Sequence, residues 1–189
     1  GAKDSIESIS AFIENSLDAD LIITSGGVSV GEADFTKDAF ATFNFQVLFD
    51  GIKIKPGKPT IFGKINNTLV LNLPGNPLAS LMIFEMFGKV ILQLLLGAKE
   101  IYHNTIRTKI SKELKTRPGR VTLLPGSFNG ENFEVSTKSG PGMVSVLSNC
   151  NSFLVLDETV EKLSSNEEVK ILPIKWKFMC ENKKDYITK

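Results

Sequence analysis

The sequence predicts a three-layer αβα domain followed by a small all-β, barrel-like domain. The first supporting observation is the order apolar strand, glycine-containing loop, helix, which occurs twice within the first 97 residues. Sheets of α/β proteins use this order to hold ligands at the ends of their strands. The second observation is that helical periodicity stops near residue 105, after which short apolar runs alternate with turn sequences. Short, regularly spaced strands are typical of barrels and sandwiches.

Composition and charge narrow the functional classes. The chain is 42% hydrophobic and 23% charged, which is ordinary for a globular protein. Its formal net charge of +1 gives no electrostatic excess for binding nucleic acid or a membrane surface. The apolar stretch 78–96 is interrupted by Glu85, Lys89 and Gln93, which favours a buried helix over a membrane span. No secretory signal is visible, so we expect a cytoplasmic protein without nucleic-acid or membrane partners.

The domain boundaries follow from these changes of pattern. We expect a partial α/β domain at residues 1–97, a connector at 98–104, a β-barrel-like domain at 105–175 and a tail at 176–189. Strands of the second domain are predicted at 106–110, 120–124, 133–135, 153–156 and 169–172. Turns are predicted at Arg117-Pro-Gly, Pro125-Gly-Ser, Asn129-Gly-Glu, Ser139-Gly-Pro-Gly and Ser164-Ser-Asn.

The first 97 residues alternate between helix and strand. A helix is predicted over 4–17, with Asp4 or Ser5 as its cap and one apolar stripe, formed by Ile6, Ile9, Phe12, Ile13 and Leu17. A buried strand at 19–24 precedes the first loop, and a helix at 34–43 follows it. Residues 45–54 are predicted to be extended, with a turn near Asp50-Gly51. A hairpin follows about Asn66-Asn67, and then the helix over 78–96.

The first loop, Thr24-Ser-Gly-Gly-Val-Ser-Val-Gly-Glu-Ala-Asp34, has the residues of an anion site. Gly26, Gly27 and Gly31 permit positive φ and close approach of backbone N–H groups, while Ser25 and Ser29 add hydroxyl donors. Asp34 could cap the following helix, or it could hold a hydrated Mg²⁺ beside the anion. For this loop alone, a tight turn with a capped helix is the alternative.

Two further rigid loops follow. Lys55-Pro-Gly-Lys-Pro59 places two lysines in a stiff segment, which suits an anion clamp, although a solvated basic turn is the alternative. Leu73-Pro-Gly-Asn-Pro77 leads into the long helix, with Asn76 as cap and Pro77 in its first turn. If the sheet is parallel or mostly so, all three loops lie at the carboxyl ends of its strands. This convergence favours an anion site over three unrelated turns.

Together, the motifs GGVSVGEAD, KPGKP and LPGNP strongly resemble those of the molybdopterin molybdenumtransferase family, which includes MoeA and the E domain of gephyrin. The β-rich part with Arg117-Pro-Gly-Arg120 resembles that family's C-terminal domain. The resemblance implies a molybdopterin-binding-like αβα domain that is truncated at its N terminus, because family members carry earlier domains and a further strand and helix. It also implies insertion of molybdate into adenylylated molybdopterin, with Mg²⁺ as cofactor, and a homodimer for the full-length protein.

The resemblance also assigns roles to residues. Asp34 would act near Mg²⁺ or in metal transfer, and Asp4 would be a second functional acid. Lys55 and Lys58 would clamp molybdate, with Pro59 shaping the clamp. The pterin or its phosphates would be held by Gly26, Gly27, Ser29, Gly31, Pro74, Gly75, Asn76, Pro77 and Ser80. From the β domain, Arg120 and Ser145 would reach the oxyanion. Many relatives have arginine at the position of Pro125, a departure that bears on the role of this domain.

Two alternatives remain open. One is the molybdopterin adenylyltransferase, which is similar in the α/β domain but has a G-G-T-G loop and lacks an appended β domain. The other is a non-catalytic interaction module, since the related domain of gephyrin anchors receptor segments. Binding of molybdate would favour the enzyme, and a groove that binds peptide but ignores the oxyanion would favour the module.

Overall fold

The computed structural model of the chain describes residues 5–26, 35–136 and 144–175. The chain divides into two compact units, Gly1–Ile101 and Tyr102–Lys189. The elements of the first unit are, in chain order, α1 (Ile6–Glu14), β1 (Leu21–Ser25), α2 (Phe35–Ala41), β2 (Gln46–Asp50), β3 (Ile54–Lys55), β4 (Ile61–Ile65), β5 (Thr68–Leu73), α3 (Pro77–Ile83), a π-helical segment (Phe84–Gly88) and α4 (Lys89–Leu95).

The sheet of the first unit is mixed rather than mostly parallel. Its strand order is β1-β5-β4-β2. Only β1 and β5 are parallel, whereas β4 runs antiparallel to both β5 and β2. The sheet therefore does not meet the condition, parallel or mostly parallel, under which the three loops were expected at one edge. The reason is the hairpin turn between β4 and β5, where Asn66 has a φ of 53°, because a turn this short joins only antiparallel strands.

Helices cover both faces of this sheet. On one face, Ile13 of α1 and Phe40 of α2 form a buried cluster with Val70 of β5, and Ile22 of β1 packs against it. Side chains alternate along a strand, so Ser25 lies on the opposite face. There its hydroxyl contacts Ser80 of α3. The first unit therefore has three layers, with α1 and α2 on one side of the sheet and α3 on the other.

Two details of the first unit differ from the sequence-based predictions, and a third decides between the two predicted caps of α1. Strand β1 was expected to be buried, but Ile23 is 42% exposed, because β1 lies at one edge of the described sheet. Phe12, assigned to the apolar stripe of α1, is 55% exposed, whereas Ile13 is buried. The cap is Ser5, whose hydroxyl oxygen accepts a hydrogen bond from the Ser8 N–H group at 3.2 Å.

The long helical stretch Pro77–Leu95 changes character along its length. It has 19 residues and a mean hydropathy of 1.7, so by length and composition it could cross a membrane, and 39% of it is buried. Its first part packs into the protein through Leu78, Met82 and Ile83. Helix α4 has no buried residue. Gly97, with a φ of 79°, follows its end.

The second unit contains a five-stranded closed barrel. The elements of this unit are β6 (Ile106–Ile110), β7 (Leu114–Lys115), β8 (Val121–Phe128), β9 (Asn132–Val135), α5 (Val144–Asn149), β10 (Ser152–Leu156), β11 (Lys162–Leu163) and β12 (Glu168–Pro173). The barrel order is β10-β12-β6-β9-β8, and pairing of β8 with β10 closes it. Its core includes Phe133, Leu154 and Ile171, each at most 1% exposed.

One predicted turn is part of a barrel strand. Pro125-Gly126 lies within β8, where Pro125 is opposite Phe153 and Gly126 is opposite Ser152. A Cβ atom at Gly126 would lie 2.3 Å from the Glu134 carbonyl oxygen and 2.4 Å from the Phe133 ring. This glycine is therefore required for close packing rather than for a turn. Helix α5 and the short strands β7 and β11 were not predicted, and residues 139–142 lie outside the described ranges.

Candidate functional site

Three loops of the first unit emerge at one edge of the sheet, which we call the strand-end edge. It is defined by the last residues of β1, β5 and β2 (Ser25, Leu73 and Asp50) and by the first residue of β4 (Ile61). Ser25 is opposite Leu73, and Asp50 is opposite Ile61. Because β4 is antiparallel, the lysine-containing loop reaches this edge through the amino end of β4. The lysine loop, the third loop and the described start of the first loop, Ser25-Gly26, therefore share this edge.

The first and third loops touch through their backbones. The Gly26 N–H group donates to the Leu73 carbonyl oxygen at 3.1 Å. Gly26 has a φ of 95°, and a Cβ atom at Gly75 would lie 3.4 Å from the Gly26 Cα atom. The positive φ favours glycine at Gly26, because a residue with a Cβ atom would be strained there. The start of the first loop at Gly26 thus meets the end of β5 and the third loop through the backbone.

Two serine hydroxyls strengthen this junction. The Ser80 hydroxyl donates to the Pro74 carbonyl oxygen, and the Ser25 hydroxyl lies 3.3 Å from the same oxygen. The two hydroxyl oxygens are 3.2 Å apart. Since one carbonyl oxygen is shared by two hydroxyls, the end of β1, the third loop and the first turn of α3 are held together. Ser80 was predicted as a site residue, and Ser25 was predicted only as a donor in the first loop.

Helix α3 begins at the strand-end edge with the predicted cap. Asn76 accepts a hydrogen bond from the Ala79 N–H group at 3.1 Å through its side-chain oxygen, and Pro77 occupies the first helical turn. The Ser80 N–H group donates to the Asn76 carbonyl oxygen at 2.9 Å. The positive end of the helix therefore faces the edge to which the lysine loop also belongs.

The lysine loop is held in place by its backbone and by α3. The Ile52 N–H group donates to the Lys58 carbonyl oxygen at 3.0 Å, and the Thr60 hydroxyl donates to the Gly57 carbonyl oxygen at 2.6 Å. A Cβ atom at Gly57 would lie 2.4 Å from Ile83 Cδ1. The Lys55–Pro56 peptide bond is cis. The loop therefore packs tightly on α3, leaving its lysine side chains to project outward.

Lys55 and Lys58 are both exposed. Within the described ranges neither forms an ion pair with a carboxylate. Their positive charges are thus available to an anion at the strand-end edge. Pro59, which precedes buried Thr60, fixes the backbone immediately after Lys58.

Sequence reasoning missed an ion pair at the same edge. Lys37 of α2 lies 3.1 Å from the Asp50 carboxylate at the end of β2, and both side chains are about half exposed, at 41% and 55%. The pair borders a cavity of about 190 Å³ lined mainly by apolar residues, namely Phe40, Ala41, Phe45, Val47 and Ile61. This volume is smaller than that of typical ligand sites, about 300–1,000 Å³. In the sequence, the feature that could have indicated this ion pair is a carboxylate at the end of a strand. Asp50 was instead interpreted as a turn residue.

A second missed feature is a neighbouring hydroxyl and amide, both buried, on β1 and β5. Thr24 and Asn72 are opposite each other, one residue before the end of each strand. In the sequence, the feature that could have indicated this pair is an asparagine inside the apolar run Leu69-Val-Leu-Asn-Leu73. Asparagine is depleted in strands, and Asn72 has no exposed surface.

The remaining predicted residues fall outside the described ranges or belong to the second unit. Asp4, Gly27, Ser29, Gly31 and Asp34 lie outside the described residues. Arg120 is exposed directly before β8, and Ser145 lies in α5, so both belong to the second unit. In the part of the chain that the structure describes, no group of three or more His, Cys, Asp or Glu side chains could hold a metal ion.

The fold defines an α/β domain whose strand-end edge carries glycine-containing loops and two exposed lysines, followed along the chain by a β-barrel. Comparison with known families gives the same division. Residues 2–94 match the family described as "Probable molybdopterin binding domain", and residues 107–174 match "MoeA C-terminal region (domain IV)". The chain belongs to the molybdopterin molybdenumtransferase (MoeA) family.

Individual relatives are similar along most of the chain. A molybdopterin molybdenumtransferase of Haemophilus influenzae is 38% identical over 172 residues, covering 86% of this chain and 42% of the relative. Molybdopterin molybdenumtransferase 2 of Mycobacterium tuberculosis is 27% identical over 178 residues, covering 90% and 44%. The chain therefore spans less than half the length of these curated relatives.

Solved structures agree with this result. The crystal structure of a molybdopterin biosynthesis MoeA protein from Pyrococcus horikosii has a TM-score of 0.79 and 31% identity, covering 92% of this chain and 42% of that one. A molybdenum cofactor biosynthesis protein from Pyrococcus furiosus has a TM-score of 0.71 and 27% identity, covering 90% and 55%.

Proposed function

We propose that the protein acts in molybdenum cofactor biosynthesis by inserting molybdate into adenylylated molybdopterin with release of AMP. The observation that carries this proposal is the meeting of three loops at the strand-end edge, with Lys55 and Lys58 exposed there. Neither lysine has an ion-pair partner among the described residues. The names of the relatives, molybdopterin molybdenumtransferase, support the same class of reaction.

The chemistry in this proposal is electrostatic and positional. Molybdate is a dianion and the nucleotide-bearing substrate is also negative, so the two repel each other in water. Lys55 and Lys58 offset that repulsion, and the stiff loop around Pro59 holds them without further reorganisation. The joined backbones of Gly26 and Gly75 offer a surface for the second substrate. Holding both substrates at one edge supplies the proximity that the transfer needs.

The remaining predicted residues keep their proposed roles. Pro74, Asn76, Pro77 and Ser80 would form the wall of the substrate site, which Gly27, Ser29 and Gly31 would complete. Arg120 and Ser145 of the second unit would bind the oxyanion. Asp4 and Asp34 would be functional acids, with Asp34 as a ligand of Mg²⁺. Proteins often hold Mg²⁺ with one or two carboxylates together with substrate phosphates. Bound there, Mg²⁺ would screen the phosphate charge.

The proposal extends to the setting of the reaction. We propose a cytoplasmic enzyme whose full-length form is a homodimer, which light scattering on a size-exclusion column would test. The adenylyltransferase alternative is disfavoured because residues 107–174 match the MoeA C-terminal region. The interaction-module alternative predicts peptide binding without affinity for molybdate.

The experiment that tests the function is calorimetric titration of molybdate into the chain and its Lys58→Ala variant. Loss of one charge-assisted interaction, worth about 1.5–3 kcal/mol, should weaken binding about 10- to 150-fold. Lys64→Ala is the matched control, because Lys64 lies on β4 three residues beyond the strand-end edge. Equal weakening by both variants would argue against the clamp. Absence of molybdate binding, here and in a chain extended at its N terminus, would contradict the function.

A further inference from the structure

The buried polar atoms of two neighbouring side chains lie just beneath the strand-end edge. Thr24 of β1 and Asn72 of β5 are direct neighbours on parallel strands. Asn72 is 0% exposed. The Thr24 hydroxyl and both polar atoms of the Asn72 amide are buried, and none of them has a hydrogen-bond partner in the structure as described. Such groups destabilise a fold unless another molecule satisfies them.

The same chain satisfies comparable groups elsewhere. Asn151, which is 8% exposed, accepts a hydrogen bond from the Phe128 N–H group and donates one to the Phe128 carbonyl oxygen, both at 2.8 Å. Thr68, which is 2% exposed, lies on β5 on the same face as Asn72, and its hydroxyl donates to the Leu17 carbonyl oxygen at 2.8 Å. The fold therefore provides partners for one buried amide and one buried hydroxyl, but not for Asn72 and Thr24.

The position of the pair connects it with the proposed substrate site. Both residues come one position before the end of their strands, so they lie about 3 Å below the strand-end edge. Gly26 follows directly on Ser25, and a Cβ atom there would meet no described atom within 4 Å. The pair is thus close to the surface where the proposed function places the substrate, on the face of the sheet opposite Ser80.

The chemistry of the pair differs from that of the lysines. An amide and a hydroxyl are neutral, and each can both donate and accept a hydrogen bond. They are unsuited to compensating a dianion, but an asparagine amide can bind the adjacent donor and acceptor atoms of a nitrogen heterocycle through two hydrogen bonds, as it does with adenine. Buried polar groups that depend on a ligand also discriminate strongly against ligands that lack the matching atoms.

We propose that Thr24 and Asn72 bind the donor–acceptor edge of a planar nitrogen heterocycle that enters from the strand-end edge. This inference rests on the proposed function, whose adenylylated substrate contains two such edges, the amino-oxo edge of the pterin and the amino edge of adenine. Lys55 and Lys58 take the oxyanion, and Thr24 and Asn72 select the heterocycle.

The test combines stability with binding. Asn72→Leu and Thr24→Val remove the polar atoms at nearly constant volume, and Asn151→Leu and Thr68→Val are the matched controls. Because Asn72 and Thr24 lack partners, their variants should keep or raise the Tm. The controls lose real hydrogen bonds and should lower the Tm by about 2–4 °C or more. Pterin and AMP are titrated separately into each protein, and Asn72→Leu should weaken binding of one of them at least about tenfold.

The outcomes are distinct. Weakened binding of pterin alone, or of AMP alone, supports the inference and identifies the heterocycle. The inference is overturned if neither affinity changes, if the unaltered chain binds neither compound, or if Asn72→Leu lowers the Tm as much as Asn151→Leu. Molybdate titrated in parallel separates the two proposals. Retained molybdate binding with unchanged heterocycle affinity refutes only this inference, whereas absent molybdate binding counts against the proposed function.

Discussion

Replacing Gly57 by alanine should disrupt the lysine loop through one defined clash. The added Cβ atom would lie 2.4 Å from Ile83 Cδ1 and 2.7 Å from Ile83 Cγ1, and Ile83 is fully buried. Overpacking of this kind costs about 1–3 kcal/mol. Gly57 also has a φ of 133°, which costs a residue with a Cβ atom about 1–2 kcal/mol more. We therefore expect Gly57→Ala to lower the free energy of unfolding by about 2–5 kcal/mol.

A matched control separates the two contributions. Gly130 has a φ of 102°, and a Cβ atom there would meet no described atom within 4 Å. Gly130→Ala should therefore show only the backbone cost, about 1–2 kcal/mol. Urea denaturation gives the loss of unfolding free energy for each variant. The difference between the two losses is the cost of the clash with Ile83.

A double-mutant cycle then assigns that cost to Ile83. Ile83→Ala alone should cost about 2–5 kcal/mol, because it leaves a cavity. In that background the clashing atoms are absent, so the added cost of Gly57→Ala should fall to about the value for Gly130→Ala. If the two changes are additive, the loop does not pack on α3 as described. Molybdate binding by Gly57→Ala should also weaken, since Lys55 and Lys58 flank this glycine.

The helix cap, the buried thiol and one exposed carboxylate give three further predictions. Asn76→Ala removes the acceptor of the Ala79 N–H group and should lower the free energy of unfolding by about 0.5–2 kcal/mol. Asn76→Asp keeps the acceptor and should leave the free energy of unfolding unchanged. Urea denaturation compares the two variants. Burial raises the pKa of the Cys150 thiol, so in a Cys180→Ser background iodoacetamide should label the native chain more slowly than the unfolded one. The stability that this thiol contributes is fully present below its ordinary pKa, and it is lost as the pH rises through the raised pKa. The side-chain and backbone hydrogen bonds of Thr159 lower the pKa of Asp157, so Thr159→Val should raise it in an NMR titration. That carboxylate's contribution to stability is present above its ordinary pKa and is lost as the pH falls through the lowered pKa.

Local chemistry made several elements predictable from the sequence. The Asn66-Asn67 turn, the Asn76 cap and Pro77 in the first turn act within a few residues of chain, and the structure has each of them. Strand β6 (Ile106–Ile110) was predicted with its observed bounds. In these cases, propensity and periodicity agreed with the tertiary structure.

Features that depend on distant contacts were not predictable. Gly126 was taken for a turn glycine, but its neighbours are the Phe133 ring and the Glu134 carbonyl on another strand. The helix over 78–96 was expected to be buried, yet Leu92 and Leu95 are 38% and 42% exposed. Helical periodicity marks an apolar face without showing what covers it. The loops and lysines of the candidate site were identified from the sequence. The pairing of Thr24 with Asn72 could be seen only from the register of β1 and β5.

The position of the lysines follows from the hairpin at the other end of β4. A two-residue turn at Asn66-Asn67 forces β4 to run against β5. Since β5 ends at the strand-end edge, β4 must begin there, and the loop before it, containing Lys55 and Lys58, arrives beside the glycine loops. If β4 were parallel to β5, its amino end would lie at the opposite edge, five residues or about 16 Å away. The lysines precede β4, whereas the glycine-containing loops follow β1 and β5. Because the sheet is mixed, both kinds of loop lie at the same edge.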